Sequence, residues 1–214
     1  MLPVLNNRLS YSSYSLSHLF ILFSSVHPFI NGKPTTALQQ KDDALSSSAS
    51  TSYTRYDVFI NHRGLNVKNT FISHLDKRLR EHALWLFLNR PELEAGHNIK
   101  SQIKAAIRVA SLHSEIFSQT YAESTWCLDE LVLMLKFGAP IVPIFFNVEP
   151  SKVRWNDKKG AYAEALKKLQ QNRSSDPQNN GEKPRHASST IQGWRAALSH
   201  VANLKGYKLK GFNG

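Results

Sequence analysis

Cysteine is almost missing from this chain: its 214 residues contain one, Cys127. A single thiol excludes an internal disulfide framework and a cysteine-based zinc site, so no metal site is expected and a reducing compartment is the simpler setting. Long apolar runs are missing too. A bilayer span needs ~20 apolar residues, and the run Leu19-Phe20-Ile21-Leu22-Phe23 falls far short of that. Negative charge is scarce, with 16 Asp and Glu against 27 Lys and Arg and a formal net charge of +11. Such an excess attracts polyanions, including nucleic acid and acidic membrane surfaces. The basic residues are nevertheless spread over Lys100 to Arg108, Lys152 to Lys168 and Lys183 to Lys210. They lack the interleaved aromatics of a single-strand platform and the Cys/His spacing of a finger. Solvated basic faces are the plainer reading, and contact with nucleotide phosphates or polymers is the alternative.

At 41% hydrophobic and 20% charged, the chain has the composition of a protein that builds a packed core. Its length leaves room for one domain with flanking segments. Residues 1–52 stand apart: they are Ser-rich, have no acidic residue before Asp42, and contain Arg8 as their one arginine. Either a targeting segment for an organelle or an extension without fixed structure fits that composition, whereas a secretory signal sits badly with the lack of paired cysteines. The expected location is the cytoplasm, with organelle targeting as the alternative. Ser46 to Ser52 reads as a flexible linker.

From Tyr56 onward short apolar runs alternate with segments of helical period, the pattern of a parallel sheet with crossover helices. Val58-Phe59-Ile60, Leu84 to Leu88, Leu112 to Phe117 and Ile141 to Phe146 are the expected strands. Pro143 cannot donate to a ladder, which places it at an edge or near a bulge. Phe71, Leu75, Arg78 and Leu79 share one helical face, as do Ile99, Ile103, Ala106, Ile107 and Ala110. Thr125 is the expected N-cap of a helix with Leu128, Leu131, Val132 and Leu135 on its apolar side, ended by Gly138. Further helices are expected from Gly160 to Gln171 and from Ile191 to Leu204. The expected organisation is a domain over residues 53–173, a linker over 174–189, and a helix and tail over 190–214. No internal repeat is visible.

Five strings carry a family resemblance: Tyr56 to Gly64 (YDVFINHRG), Thr70 to Leu75 (TFISHL), Glu92 to Gly96 (ELEAG), Ser124 to Val132 (STWCLDELV) and Pro143 to Pro150 (PIFFNVEP). In order and spacing they resemble the Toll/interleukin-1 receptor (TIR) domain family, particularly its plant branch. Trp194 to Leu198 and Val201 to Leu204 are similar to the segment that follows the domain in plant TIR proteins. Nothing resembling their ATPase or leucine-rich repeat modules follows, so the expectation is a TIR-only protein. The resemblance implies a flavodoxin-like α/β fold, an open parallel sheet with helices on both faces. It also implies an NAD+ nucleosidase that makes ADP-ribose-type or cyclic signalling nucleotides in plant immunity, with NAD+ as substrate and no further cofactor.

The same resemblance places the catalytic glutamate at Glu130. Cleaving an N-glycosidic bond to a cationic nicotinamide needs positioning and negative charge rather than a strong nucleophile, because the leaving group departs neutral and the ribose becomes oxocarbenium-like. A carboxylate near the ribose serves that need, as in glycosidases. The plainer alternative is an acid in the first turns of a helix, favourable to its dipole. Trp126 lies four residues earlier, on the same helical face, and is either an aromatic partner for nicotinamide riboside or a packing residue. His62, Arg63 and Gly64 follow the first strand, where open α/β sheets place ligands. Arg63 has the fork for a phosphate, and Gly64 permits close backbone approach; a tight turn with an exposed cation is the alternative. Glu94 falls in a loop that in TIR domains borders the nucleotide, or is a solvated carboxylate. Ser73 and His74 match a dipeptide used for self-association by the first helix together with a late helix, here Gly160 to Gln171. Cys127 reads as a small buried side chain, since no base is placed to ionise it.

Two departures stand out. Ser114 and Glu115 occupy a strand where the family shows small or apolar residues, and Asn89-Arg90-Pro91 replaces a more acidic stretch. An unpaired glutamate in a central strand is costly to bury, so Glu115 is expected to reach solvent or a basic partner; the alternative is a weakened, degenerate domain. Two rival functions remain at this level: a non-catalytic module that self-associates or recruits other TIR proteins, and a nucleic-acid-binding or -cleaving domain suggested by the charge.

Overall fold

In the computed structural model the described residues are 56–64, 67, 71–88, 99–154, 159–176 and 181–210. The extension 1–52, the Asn89-Arg90-Pro91 stretch and Glu92 to Gly96, with Glu94, lie outside them.

The expected alternation forms one parallel sheet. Strands β1 (Val58–His62), β2 (Leu86–Leu88), β3 (Leu112–Phe117), β4 (Ile141–Phe146) and, much later in the chain, β7 (Tyr207–Leu209) lie in the order β2-β1-β3-β4-β7. Every neighbouring pair is parallel. Counted along the chain this is the order 2-1-3-4-5 of flavodoxin-like folds, in which connections leave β1 toward one edge and β3 toward the other. All six β3 residues are buried, as expected of a strand covered on both faces.

Successive residues of each strand feed opposite faces. Val58, Ile60, Ile116 and Ile144 pack with Leu75 and Leu79 of helix α1 (Ser73–Glu81) and with Phe71 just before it. Phe59, Phe117 and Phe145 point the other way. They meet α2 (Ile99–Val109), α3 (Thr125–Phe137), α5 (Ala161–Gln171) and α6 (Ser188–Val201) through Ile107, Leu131, Leu166 and Leu198. A short helix α4 (Pro150–Val153) links β4 toward α5. Aromatic contacts tie this second layer together: Phe117 stacks on Phe145 at 5.5 Å and Phe59 on Phe87 at 5.4 Å between ring centroids.

Several details differ from the sequence expectations. Strand β2 begins at Leu86, and Trp85 before it is 61% exposed. The N-cap of α3 is Ser124, one residue before the expected Thr125: the Ser124 side chain accepts from the Cys127 backbone N–H at 3.2 Å. Gly138 does end that helix, with φ 74°. Of the two proposed apolar stripes, Arg78 and Ile99 turn outward while the remaining members are buried. Pro143 pairs with Glu115 on β3, whereas β7 joins the other side of β4 only from Ile144 onward. Proline therefore stands where β4 is locally an edge.

The packed unit also runs past Arg173. Residues Arg173–Asp176 (β5) and Gly181–Pro184 (β6) pair as an antiparallel hairpin inside the expected linker. Beyond it α6 buries Ile191, Trp194, Leu198 and Val201 in the core, and β7 completes the sheet. Sequence periodicity predicted that helix, but three residues of β7 are too few to show a strand pattern. Gly206 fits the close entry to β7: a Cβ there would press into the Pro143 carbonyl oxygen and come within 2.7 Å of Pro143 Cγ.

Candidate functional site

The topological switch lies between β1 and β3, and their carboxyl ends define the crevice where open α/β sheets bind ligands. Residues from four elements converge there. Asn61, the penultimate residue of β1, is fully buried and donates from Nδ2 to the Tyr121 hydroxyl and the Cys127 carbonyl oxygen, both at 3.1 Å. Tyr121 opens a 3-10 turn (Tyr121–Glu123) and donates its own hydroxyl to the Cys127 carbonyl at 2.9 Å. Tyr162 on α5 donates to the Ser118 carbonyl at 2.7 Å. These bonds fasten the end of β3 and the first turn of α3 to β1.

Above this layer, the Arg63 guanidinium donates to the Thr120 carbonyl at 2.7 Å and pairs with Glu123 at 3.0 Å. Ser118 Oγ donates to the Arg63 carbonyl at 3.4 Å. Gly64 is exposed at φ 100°, a left-handed conformation open to glycine at low strain. His62 is half-buried, and its carbonyl accepts from Cys127 Sγ at 3.6 Å. Burial pushes the Cys127 thiol up to about 12, so it is protonated at neutral pH and is not an activated nucleophile.

Glu130 is the sixth residue of α3 and is only 2% exposed. It thus lies within the first two turns of the helix, where its charge also suits the helix dipole, and it is buried there. Its charge acts on Glu115, Tyr121 and Cys127, raising all three, which puts it against the polar layer just described. Trp126 takes a different course. It is 37% exposed and lies under the Lys100 ammonium, 5.7 Å from the ring centroid. Four residues apart on α3, Trp126 and Glu130 share one stripe of the helix as expected, but Trp126 sits at its outer rim while Glu130, like Cys127 three positions before it, is buried. Next to Glu130, Asp129 accepts from Trp194 Nε1 of α6 at 2.8 Å.

Glu115 overturns the expectation of solvent or a basic partner. It is fully buried, and neither carboxyl oxygen has a hydrogen-bond partner of good geometry. Desolvation raises its pKa well above the ordinary value, Glu130 raises it further, and the nearby Tyr121 and Asn61 side chains oppose the shift. Sequence reasoning could flag Glu115 as an anomaly but missed Asn61, Ser118, Tyr121 and Tyr162. The available signal was a polar residue ending an otherwise apolar strand, as Asn61 does after Val58-Phe59-Ile60. Ser73 and His74 are exposed on α1, across the sheet from α5, so a contact using both helices would join two different sides of the molecule. Among the described residues there is no cluster of His, Cys, Asp and Glu suited to a metal ion, and no helix long and apolar enough to cross a membrane.

A doubly wound parallel sheet with a buried carboxylate below its switch point defines a class of α/β domain that presents ligand contacts at strand carboxyl ends. Within that class, the TIR domain profile matches residues 55–213, and the chain belongs to the TIR domain family. It is 35% identical to TMV resistance protein N of Nicotiana glutinosa over 76% of this chain and 13% of that protein. It is likewise 35% identical to disease resistance protein RPS6 of Arabidopsis thaliana over 78% of this chain and 14% of that protein. The chain thus spans only a small part of the curated relatives it matches. Among solved structures, the TIR domains of the activated Roq1 resistosome, which directly recognises the pathogen effector XopQ, superpose with a TM-score of 0.60. That match has 35% identity and covers 73% of this chain and 89% of that one.

Proposed function

We propose that this domain cleaves the nicotinamide–ribose bond of NAD+, yielding nicotinamide and ADP-ribose or a cyclic ADP-ribose as signalling nucleotides in plant immunity. The observation that carries the reading is Glu130: an acidic side chain of the Trp-Cys-Leu-Asp-Glu string, buried beside the β1/β3 crevice. As the C–N bond breaks, its electron pair leaves with nicotinamide, which departs neutral, and positive charge develops on the ribose. The Glu130 carboxylate opposes that charge in a site from which water is largely excluded, where such interactions are strongest. Water then adds to the ribose carbon and releases a proton, or a group of the same nucleotide adds to close a ring. Arg63 would take a phosphate by exchanging its Glu123 partner, Gly64 would let backbone approach, and His62 and Trp126 would border the nucleotide at the rim. Glu94 is assigned to the same border from sequence.

Glu130→Gln keeps the shape and removes the charge. Concentrated protein incubated with NAD+, with products read by mass spectrometry, should show a loss of at least ~100-fold for the variant. Equal turnover by wild type and variant would remove Glu130 from the mechanism. A folded, assembled wild type without turnover would favour the second reading, a non-catalytic module that acts by TIR–TIR contact. The similarity to the TIR domains of an assembled resistosome supports that reading, as do the exposed Ser73 and His74 on α1.

A further inference from the structure

Two carboxyl groups are buried at one place in this domain, Glu115 at 0% and Glu130 at 2% relative exposure. Glu115 stands in the middle of the sheet, in register with Asn61 on β1 and Pro143 on β4. The groups that face it are Asn61 from β1, Tyr121 from the 3-10 turn, Cys127 and Glu130 from α3, and Tyr162 from α5. None of them is a cation. Arg63, the basic residue that acts on Cys127, is bound to Glu123 and Thr120 at the mouth. An ionised Glu115 would therefore sit in the core beside a second carboxyl group with no cation among the groups that act on it, an arrangement that neighbouring carboxyl groups avoid by keeping one of them protonated. The hydrogen-bond inventory identifies where that proton belongs. Asn61 commits its Nδ2 to Tyr121 and Cys127, which leaves its buried Oδ1 as an acceptor without a donor. A protonated carboxyl provides one O–H donor, and Glu115 is the register partner of Asn61.

We propose that Glu115 is a neutral acid whose O–H is donated to Asn61 Oδ1, so that the buried pair carries one proton and Glu130 alone carries the charge. Glu115 is then a positioning residue. It locks the Asn61 amide that holds the Cys127 carbonyl in the first turn of α3, and it leaves one negative charge facing the crevice. Its functional consequence rests on the NAD+ reading above, whereas its protonation does not.

The decisive comparison is wild type against Glu115→Gln, which is neutral at every pH and of nearly the same shape. Thermal unfolding of both is followed from about pH 4 to about pH 9, a range spanning the ordinary glutamate value. The folded protein retains a proton that the unfolded chain has released. Wild type should therefore lose stability relative to E115Q as pH rises above the ordinary glutamate value of 4.5, and the two should converge below it. Glu130→Gln should make the wild-type decline shallower, because it removes the charge that disfavours ionisation of Glu115. A difference between wild type and E115Q that does not vary with pH overturns the proposal. Infrared spectra of the wild type keep the test open even if E115Q fails to fold: a protonated-carboxyl band at neutral pH is expected, and its absence overturns the proposal. If NAD+ is cleaved, E115Q should extend activity to higher pH, and an unmoved alkaline limb removes the link to Glu130. If NAD+ is not cleaved, the unfolding and infrared results decide the protonation on their own.

Discussion

The two faces of the sheet are made by alternate residues of the same strands, yet they differ in kind. On the α1 side Val58, Ile60, Leu112, Ile116 and Ile144 meet Phe71, Leu75 and Leu79, and Ser114 is the buried polar residue in their midst. On the α3 side the same strands bring Asn61, His113 and Glu115 into a core that also takes Glu130 from the helix layer. His113 is neutralised there: burial lowers its pKa, and its Nε2–H reaches the Ile107 carbonyl at 2.9 Å. An apolar face needs only volume to be filled, whereas a polar one must pair its groups through residues distant in sequence. Asn61 and Tyr121 are 60 positions apart. The face that is harder to assemble is the one beside the crevice.

The largest effect should come from the aromatic wall that keeps water from the polar face. Phe117 contacts Phe145, Tyr121 and Tyr162 with ring centroids 5.1–6.4 Å away. Phe117→Ala should cost about 3–5 kcal/mol in urea unfolding, a large share of a domain's typical ~5–15 kcal/mol. A loss under about 1 kcal/mol would show that the polar face stands without its wall. A matched pair of hydroxyl deletions sharpens the contrast between the faces. Tyr121→Phe removes a hydroxyl that bonds both Asn61 and Cys127, and should cost about 1–3 kcal/mol. Ser114→Ala removes a buried Oγ with no partner, and should be neutral or stabilising. Equal losses from the two would erase the distinction.

The smallest expected effect lies away from both faces. Lys208 and Lys210 hold the Glu149 carboxyl at 2.6 and 2.7 Å, lowering its pKa to about 2. A depressed carboxylate contributes stability that is present above the ordinary glutamate value of 4.5 and lost as pH falls through about 2. This is opposite in sign to Glu115. Lys208→Met should flatten that acid limb by no more than the ~0–1 kcal/mol of a half-exposed pair. A larger change would mean that β7 depends on this ion pair more than on its strand bonds.

Elements with a strong period are legible in the sequence. β3 and β4 begin and end where their apolar runs do, and α5 begins one residue after the expected Gly160. Of the candidate site, sequence names only residues that a contiguous string carries, such as Glu130 and Arg63, which stand beside the β1/β3 crevice. Glu115 could be placed on its strand, but its environment depended on a β1 amide, a tyrosine in a 3-10 turn and a glutamate on the next helix. Strand alternation indicates which face a residue takes, not what waits there. The exposure of Trp126 was hidden for a related reason, since a four-residue spacing brings two side chains to one stripe without deciding which of them is under the next layer. The α6 and β7 additions to the domain were hidden behind the polar stretch from Asn172 to Ser189, which by composition reads as linker although part of it pairs as a hairpin.

The lateness of β7 also governs how the sheet can be built. Its partner strand β4 ends at Phe146, and Tyr207–Leu209 arrives only after three helices and a hairpin have intervened. Until then Ile144, Phe145 and Phe146 present an unpaired row of backbone groups on an apolar strand, the kind of surface that recruits other chains. Closing so long a loop is entropically slow and contributes to a high contact order. Pro143 shortens the exposed row at its start by removing a donor, and β7 brings Lys208 to its finish. A chain emerging from the ribosome therefore carries an open sheet margin for some sixty residues of synthesis, an interval that ends only when a three-residue strand docks.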